Sequence, residues 1–251
     1  MIGCPPIFPR STILLLGAAV SYFVELPHRV ISAVVGFGGG VLIAVLSFDL
    51  IEEAYKHGGF GSTIAACFAG AALFCAANWY ISQHGGKHRK RCGDCVQQPT
   101  EVEQKGSGLA IAVGALIDEI PEAIIIGISL VGGGSIGFPV IVGFFLANIP
   151  QGLSGTAGMK QANRSARYIF GLLTSIVLMS GLAAAVGYGV FGYFSPGVIG
   201  GVGAFAAGGM LAMLAETMIP EAFEDAQSFI GLITVAGFLC AFALHKLSAP
   251  A

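Results

Sequence analysis

The sequence predicts an all-α polytopic membrane bundle of about eight transmembrane helices. Of the 251 residues, 55% are hydrophobic and only 10% are charged, and the mean hydropathy is +0.82. A soluble domain usually has about a quarter of its residues charged. Apolar runs close to the ~20 residues that cross a bilayer follow one another along the chain, with short polar breaks between them. We therefore expect residues 1–251 to form a single transmembrane domain.

The apolar runs define eight predicted spans, at residues 11–24, 33–50, 59–81, 108–131, 136–158, 168–191, 196–218 and 229–247. The first run is the shortest, and its position near the N-terminus is also typical of a signal peptide. No small-residue cleavage site follows it, so we expect it to be the first helix. The 38 glycines of the chain favour helices that pack closely through small residues.

The basic residues predict the orientation of the bundle, because all 12 Lys and Arg side chains fall in connections or at termini. With both termini outside, the connections that face the cytoplasm carry Arg29, Lys87, Arg89, Lys90, Arg91, Lys105, Lys160, Arg164 and Arg167. Only Arg10, Lys56 and Lys246 then lie outside. This bias predicts a multi-pass protein of the plasma or inner membrane, with the connection 82–107 in the cytoplasm. The net charge of -2 argues against a nucleic-acid partner.

A proline-containing phrase occurs three times, as Glu119-Ile-Pro-Glu-Ala123, Asn148-Ile-Pro-Gln-Gly152 and Met218-Ile-Pro-Glu-Ala222. A proline inside a helix leaves the carbonyl four residues earlier without its intrahelical hydrogen bond. In lipid such a carbonyl needs another partner, and a bound cation or a water-lined path can provide one. Each phrase is therefore a candidate cation site.

The fourth span carries the strongest candidate site. Asp118 and Glu122 are four residues apart and share one helix face, and Glu119 lies three residues before Glu122. Apart from Lys246 at the end of the last span, no Lys or Arg falls within a span, so these carboxylates must be protonated, solvated or neutralised by a bound cation. Asn148 and Gln151 in the fifth span are three residues apart and can complete an oxygen-rich cage.

Other polar residues are weaker candidates. Glu216 in the seventh span is a single carboxylate, for which a ligand role and a structural role stay equally open. Glu221, Glu224 and Asp225 are expected to lie past the end of that helix, in a solvated turn. Three isolated histidines are expected at the surface, namely His28, His57 and His245.

The connection 82–107 holds a second candidate metal site, formed by His84, His88, Cys92 and Cys95. Two imidazoles and two thiolates match a tetrahedral zinc site in ligand type, although the spacing is not that of a standard zinc finger. The alternative is a disordered basic loop whose Lys and Arg side chains contact anionic lipid. Both interpretations remain open.

Together these motifs resemble the ZIP family of zinc and iron transporters. In that family the fourth helix carries a His-Asn-x-Pro-Glu-Gly phrase, the fifth a similar phrase, and the seventh His-Glu followed by Ile-Pro-Glu. The matching residues are Asp118, Glu119, Pro121 and Glu122, then Asn148, Pro150 and Gln151, then Glu216 and Pro220. The resemblance implies eight helices, a path lined by the fourth and fifth, a divalent metal ion as substrate, no cofactor and often a homodimer.

The chain also departs from that family. Asp118 and Ala215 stand in place of the motif histidines, Gln151 in place of a glutamate and Ala123 in place of a glycine. In the sixth span, Ala184 aligns with a position where many relatives have a bridging carboxylate. Without imidazole the site has only oxygen ligands, which suit harder ions such as manganese, magnesium or calcium better than zinc.

The sequence therefore predicts a transporter of divalent metal cations of the zinc, iron or manganese class that works by alternating access, and not an enzyme. The primary ligands are expected to be Asp118, Glu119 and Glu122, with the amides of Asn148 and Gln151 as neutral ligands and Glu216 as a relay on the cytoplasmic side. One alternative is an intramembrane metalloenzyme, although no span contains a pair of histidines. Another is a metal sensor that does not transport.

The predicted orientation can be tested by labelling thiols. Because the connection 82–107 is expected to be cytoplasmic, Cys92 and Cys95, as the only thiols of an otherwise cysteine-free protein, should not react with an impermeant reagent in intact cells. They should react after the cells are permeabilised. Labelling in intact cells would reverse the orientation.

Overall fold

The computed structural model describes residues 8–86, 107–131, 137–191, 193–225 and 229–248. Nearly all of them are helical, and these ranges contain no strand. The helices are α1 Phe8–Phe23, α2 His28–Val45, α3 Glu52–Ile81, α4 Ser107–Val131, α5 Gly137–Gln161, α6 Ala166–Phe191, α7 Pro196–Met213, α8 Ile219–Asp225 and α9 Ile230–Ser248. Three π-helical turns extend α2, α3 and α7, at Leu46–Ile51, Ser82–Gly86 and Leu214–Met218 respectively. The predicted all-α bundle is confirmed.

Within the described residues these elements form seven continuous helical stretches rather than eight separate helices. The longest passes from α2 into α3, and its 57 residues from His28 to His84 would measure about 85 Å as one straight helix. That length is far more than the ~30 Å apolar thickness of a bilayer. Gly59 interrupts this stretch, because its φ of 74° and ψ of 173° are not helical and suit glycine alone. The stretch therefore supplies both the second and the third predicted spans.

Five of the described stretches are long and apolar enough to cross a membrane, namely α2 with α3, α5, α6, α7 with α8, and α9. Of the remaining two, α1 is short, and α4 contains three carboxylates. Large apolar side chains such as Phe68 and Leu182 are exposed on the outside of the bundle, whereas Leu42 and Phe144 are buried. An apolar exterior around a packed interior is what a lipid environment requires, and the chain is a multi-pass membrane protein.

Four helix pairs approach so closely that a glycine of each helix faces a backbone carbonyl of its partner. These glycines are Gly17 and Gly152 for α1 with α5, Gly40 and Gly237 for α2 with α9, Gly70 and Gly208 for α3 with α7, and Gly127 and Gly187 for α4 with α6. In every case an added Cβ would collide with a carbonyl oxygen three residues before the partner glycine. Glycine thus allows the backbones to touch, as the composition predicted.

The four pairs obey one internal symmetry. The first three spans (α1, α2 and α3) correspond to the last three (α6, α7 and α9), and the fourth span (α4) corresponds to the fifth (α5). Under this correspondence the pair of α1 and α5 becomes the pair of α6 and α4. The same correspondence converts the pair of α2 and α9 into that of α7 and α3. Corresponding spans of the two sets of three are five spans apart along the chain, and this odd offset gives the two sets opposite orientations. Inverted repeats of this kind are common in secondary transporters.

The packing of α2 against α5 positions the fifth helix. A Cβ added to Gly38 of α2 would lie 2.7 Å from Cγ of Pro150, so the proline ring packs directly on the α2 backbone. On the same interface Gly143 of α5 faces the side chain of Val45. Pro150 immediately precedes Gln151, and this contact therefore fixes the height of the Gln151 amide in the bundle.

The glycine contacts can be tested in a single helix. A Cβ on Gly187 would lie 2.6 Å from the carbonyl oxygen of Ile124, whereas one on Gly189 would enter open space. We expect Gly187→Ala to destabilise the protein by about 1–3 kcal/mol, as overpacking does. Gly189→Ala should be neutral or slightly stabilising, because alanine favours the helix. Thermal unfolding of the purified variants in detergent measures both, and equal unfolding temperatures would contradict the close contact.

Candidate metal site

The three carboxylates of α4 are buried. Asp118 is 1% exposed, Glu122 is 1% exposed and Glu119 is 6% exposed. The helix contains no Lys or Arg. Burying a carboxylate in an apolar bundle is costly unless it is protonated, hydrogen-bonded or paired with a cation.

Two amides of α5 lie beside these carboxylates. Nε2 of Gln151 donates a hydrogen bond to Oε1 of Glu122 at 3.3 Å, which joins α4 to α5. Asn148 is one helical turn earlier on α5 and is also buried. Its Oδ1 is enclosed and accepts no hydrogen bond within the described residues, so it is available to a ligand. The structure thus brings the oxygen-bearing side chains of the fourth and fifth spans to one level of the bundle.

A small cavity of about 40 Å³ opens next to this cluster. Glu119 and Gln151 are its polar lining, and apolar side chains of α1, α4, α5 and α6 form the rest. A cavity needs at least about 10–15 Å³ to hold one water molecule. This one therefore has room for a few water molecules or for an ion that has lost part of its hydration shell.

The prolines of the two motifs lie inside their helices, at Pro121 in α4 and Pro150 in α5. Each precedes a polar side chain of the cluster by one residue. The carbonyls four residues earlier, of Ile117 and Leu146, have no proline N–H to bond to. They are oxygen atoms of the right type for a hard cation.

The described side chains of the cluster do not form a closed set of metal ligands. Across the residues that the structure describes, no group of three or more His, Cys, Asp or Glu side chains comes together as in a closed metal site. An ion bound between α4 and α5 must therefore use amide oxygens, backbone carbonyls or water besides carboxylates. A site of this kind holds an ion less tightly than a structural zinc site does.

Glu216 has different neighbours from the other predicted ligands. It lies in the π-helical turn Leu214–Met218 and is exposed at the edge of the bundle. Its Oε2 accepts a hydrogen bond of 2.6 Å from Nδ2 of Asn78 in α3. The structure therefore attaches Glu216 to α3. Asn78 could not be identified from the sequence, since one amide in an apolar span gives no sign of a partner 138 residues away.

Two expectations for polar residues were wrong. Glu221 is only 3% exposed, because the seventh span continues through its π-helical turn into α8 and buries this carboxylate. His245 is not an isolated surface residue, since its Nδ1 lies 2.8 Å from Oδ1 of Asp49 in the π-helical turn of α2. His57 is exposed, as expected, and its Nε2 contacts Oε1 of Glu53 at 2.8 Å.

Of the four predicted loop ligands, the structure describes only His84. His84 is exposed, and its Nδ1 lies 2.8 Å from the carbonyl oxygen of Tyr80. His88, Cys92 and Cys95 lie outside the described residues, and zinc binding by the loop stays a prediction.

No family model matches the chain. The chain is 28% identical over 223 residues to a putative zinc transporter of Arabidopsis thaliana, a match that covers 84% of this chain and 33% of that protein. It is 27% identical over 228 residues to the zinc transporter ZTP29 of the same plant, with 84% of this chain and 81% of ZTP29 covered. The predicted resemblance to zinc transporters is confirmed. The chain spans about a third of the first relative and most of the second.

Proposed function

We propose that this protein carries divalent metal cations across a membrane and binds each ion between α4 and α5. The observation that carries the proposal is the buried cluster of Asp118, Glu119, Glu122, Asn148 and Gln151 in an apolar bundle. The similarity to proteins named zinc transporters supports it. The metal ion is then a substrate rather than a cofactor, and the protein is not an enzyme.

Electrostatics favours a cation at this position. The effective cost of removing a carboxylate from water is several kcal/mol, and a nearby positive charge can offset it. The nearest basic residue along α5 is Lys160, nine residues or about 13 Å beyond Gln151. A divalent ion would neutralise Asp118 and Glu122, which share one face of α4.

The ligand types bear on which ion is carried. Carboxylate and amide oxygens are hard ligands and fit manganese or ferrous iron well, whereas imidazole and thiolate would favour zinc. The names of the relatives point to zinc. We therefore keep the substrate class as zinc, iron or manganese.

Transport by alternating access is supported by the inverted arrangement of the helix pairs. The same correspondence of spans relates the π-helical turn of α2 to that of α7. Each turn carries one carboxylate that is bonded to a neighbouring helix, Asp49 to His245 and Glu216 to Asn78. In the predicted topology these two carboxylates lie near opposite ends of the bundle. Glu216 then acts as the relay that receives the ion on the cytoplasmic side.

Two other functions make different predictions. A metalloenzyme would need an open metal site with a base, and the described cluster contains no histidine. A metal sensor would bind through the loop and would not move ions. Uptake of labelled metal into proteoliposomes separates the three, since only a transporter accumulates the ion.

The central test removes one charge from the cluster. We expect Glu122→Gln to lower the uptake of zinc or manganese by more than about tenfold, a factor equivalent to ~1.4 kcal/mol, because the neutral amide cannot offset the charge of the ion. Glu53→Gln is the matched control, since Glu53 lies outside the cluster and pairs with His57. Full uptake by Glu122→Gln, with the control also active, would contradict the proposed site.

The opposite change should strengthen binding. Gln151→Glu places a second carboxylate beside Glu122, where the two groups are 3.3 Å apart. Without metal, two close carboxylates share a proton, and a divalent ion can replace it. We therefore expect tighter metal binding that weakens more steeply as the pH falls, measured by calorimetry at several pH values. Unchanged affinity would show that Gln151 does not face the ion.

A further inference from the structure

One corner of the bundle gathers three basic side chains between the end of α5 and the start of α6. Lys160 lies in the last turn of α5, Arg164 in the connection and Arg167 in the first turn of α6. Lys160 and Arg167 are exposed. Nζ of Lys160 donates a hydrogen bond of 3.0 Å to the carbonyl oxygen of Tyr22, which brings the end of α1 to the same corner.

Aromatic rings surround these cations. Nζ of Lys160 lies 5.7 Å from the centre of the Tyr22 ring, and the Arg164 guanidinium lies 5.2 Å from that of Tyr168. The Tyr22 ring contacts Phe170 edge to face, with 5.4 Å between the ring centres. Aromatic and basic side chains together at helix ends are typical of the headgroup level of a membrane.

Within the described residues, no acidic side chain is paired with either of the two exposed cations of this corner, Lys160 and Arg167. The first turn of α6 contains no Asp or Glu, although a helix N-terminus already carries a partial positive charge. Within the described part of the chain, Lys160 and Arg167 form no ion pair. Glu25, which follows Tyr22 by three residues, is exposed and forms none either. The charges of Lys160 and Arg167 therefore have no acidic counterion among the described residues.

Three basic side chains elsewhere in the described residues have acidic partners. Nζ of Lys56 lies 3.0 Å from Oε1 of Glu52, and Nε2 of His57 lies 2.8 Å from Oε1 of Glu53. His245 is likewise paired with Asp49. An anion from outside the chain can supply the counterion that Lys160 and Arg167 lack among the described residues.

We infer that Lys160 and Arg167, with Arg164 between them, bind the phosphate of an anionic membrane phospholipid. The neighbouring Phe23 is 77% exposed, and its ring stacks on Phe170 with 6.5 Å between their centres. An exposed apolar surface next to the cations suits the glycerol and acyl chains of a lipid, whereas a soluble phosphate would gain nothing from it. The inference is independent of the proposed metal transport.

The test uses the full-length protein in mixed micelles and measures its unfolding temperature. A ligand that binds only the folded state raises this temperature. We expect dioleoyl phosphatidylglycerol to raise it and dioleoyl phosphatidylcholine not to. The variant Lys160→Gln/Arg167→Gln should lose most of the rise, and the matched control Lys56→Gln/Lys246→Gln should keep it. The basic residues 87–91 are unchanged in both variants, so the difference reports on the corner alone.

Further measurements fix the source of the phosphate. Added inorganic phosphate should not reproduce the rise, and an equal rise would make this a site for a soluble anion and overturn the lipid assignment. A full rise in Lys160→Gln/Arg167→Gln would overturn the site itself. Should that variant fail to fold, Arg167→Gln should lose part of the rise while Arg167→Lys keeps it, and equal rises in the two would be the overturning result.

Discussion

The structure depends on the need to neutralise carboxylates that are buried in an apolar bundle. Asp118 and Glu122 are almost completely enclosed in α4, and the described partner of Glu122 on α5 is the amide of Gln151. Such groups tolerate burial only with hydrogen bonds, protons or a cation. The glycine contacts hold this arrangement in place, because Gly152 lets α5 touch α1 directly beside Gln151 and Gly127 lets α4 touch α6. The helices that form the cluster are therefore held by backbone contact on their other sides.

The charge of the cluster limits how many ions it holds. Two divalent ions in a low-dielectric site repel each other strongly, and bridging carboxylates are needed to offset that repulsion. Gln151 is a neutral amide, and Ala184, where the resemblance places a bridging carboxylate in many relatives, carries only a methyl group. In the proposed site Asp118 and Glu122 would supply enough negative charge for one divalent ion, and Glu119, which lines the small cavity, would be a third ligand or a proton carrier. We therefore propose a single central ion.

Much of the fold follows from the sequence, because the length of an apolar run sets where a helix can cross a membrane. The predicted spans match the described helices closely, and the spacing of Asp118 and Glu122 placed both side chains on one buried face. Pairings between distant residues could not be predicted. Asp49 and His245 are 196 residues apart and meet only because α2 and α9 touch through their glycines. Glu221 was misplaced because a π-helical turn continues the helix where the apolar run ends.

The number of ions in the membrane domain tests the central claim most directly. Calorimetric titration with zinc and with manganese should use purified protein in which His84, His88, Cys92 and Cys95 are replaced by alanine, so that the loop cannot contribute. One equivalent should bind, and the binding should disappear in Glu122→Gln. Two equivalents, or one equivalent that survives Glu122→Gln, would contradict a single ion held between α4 and α5.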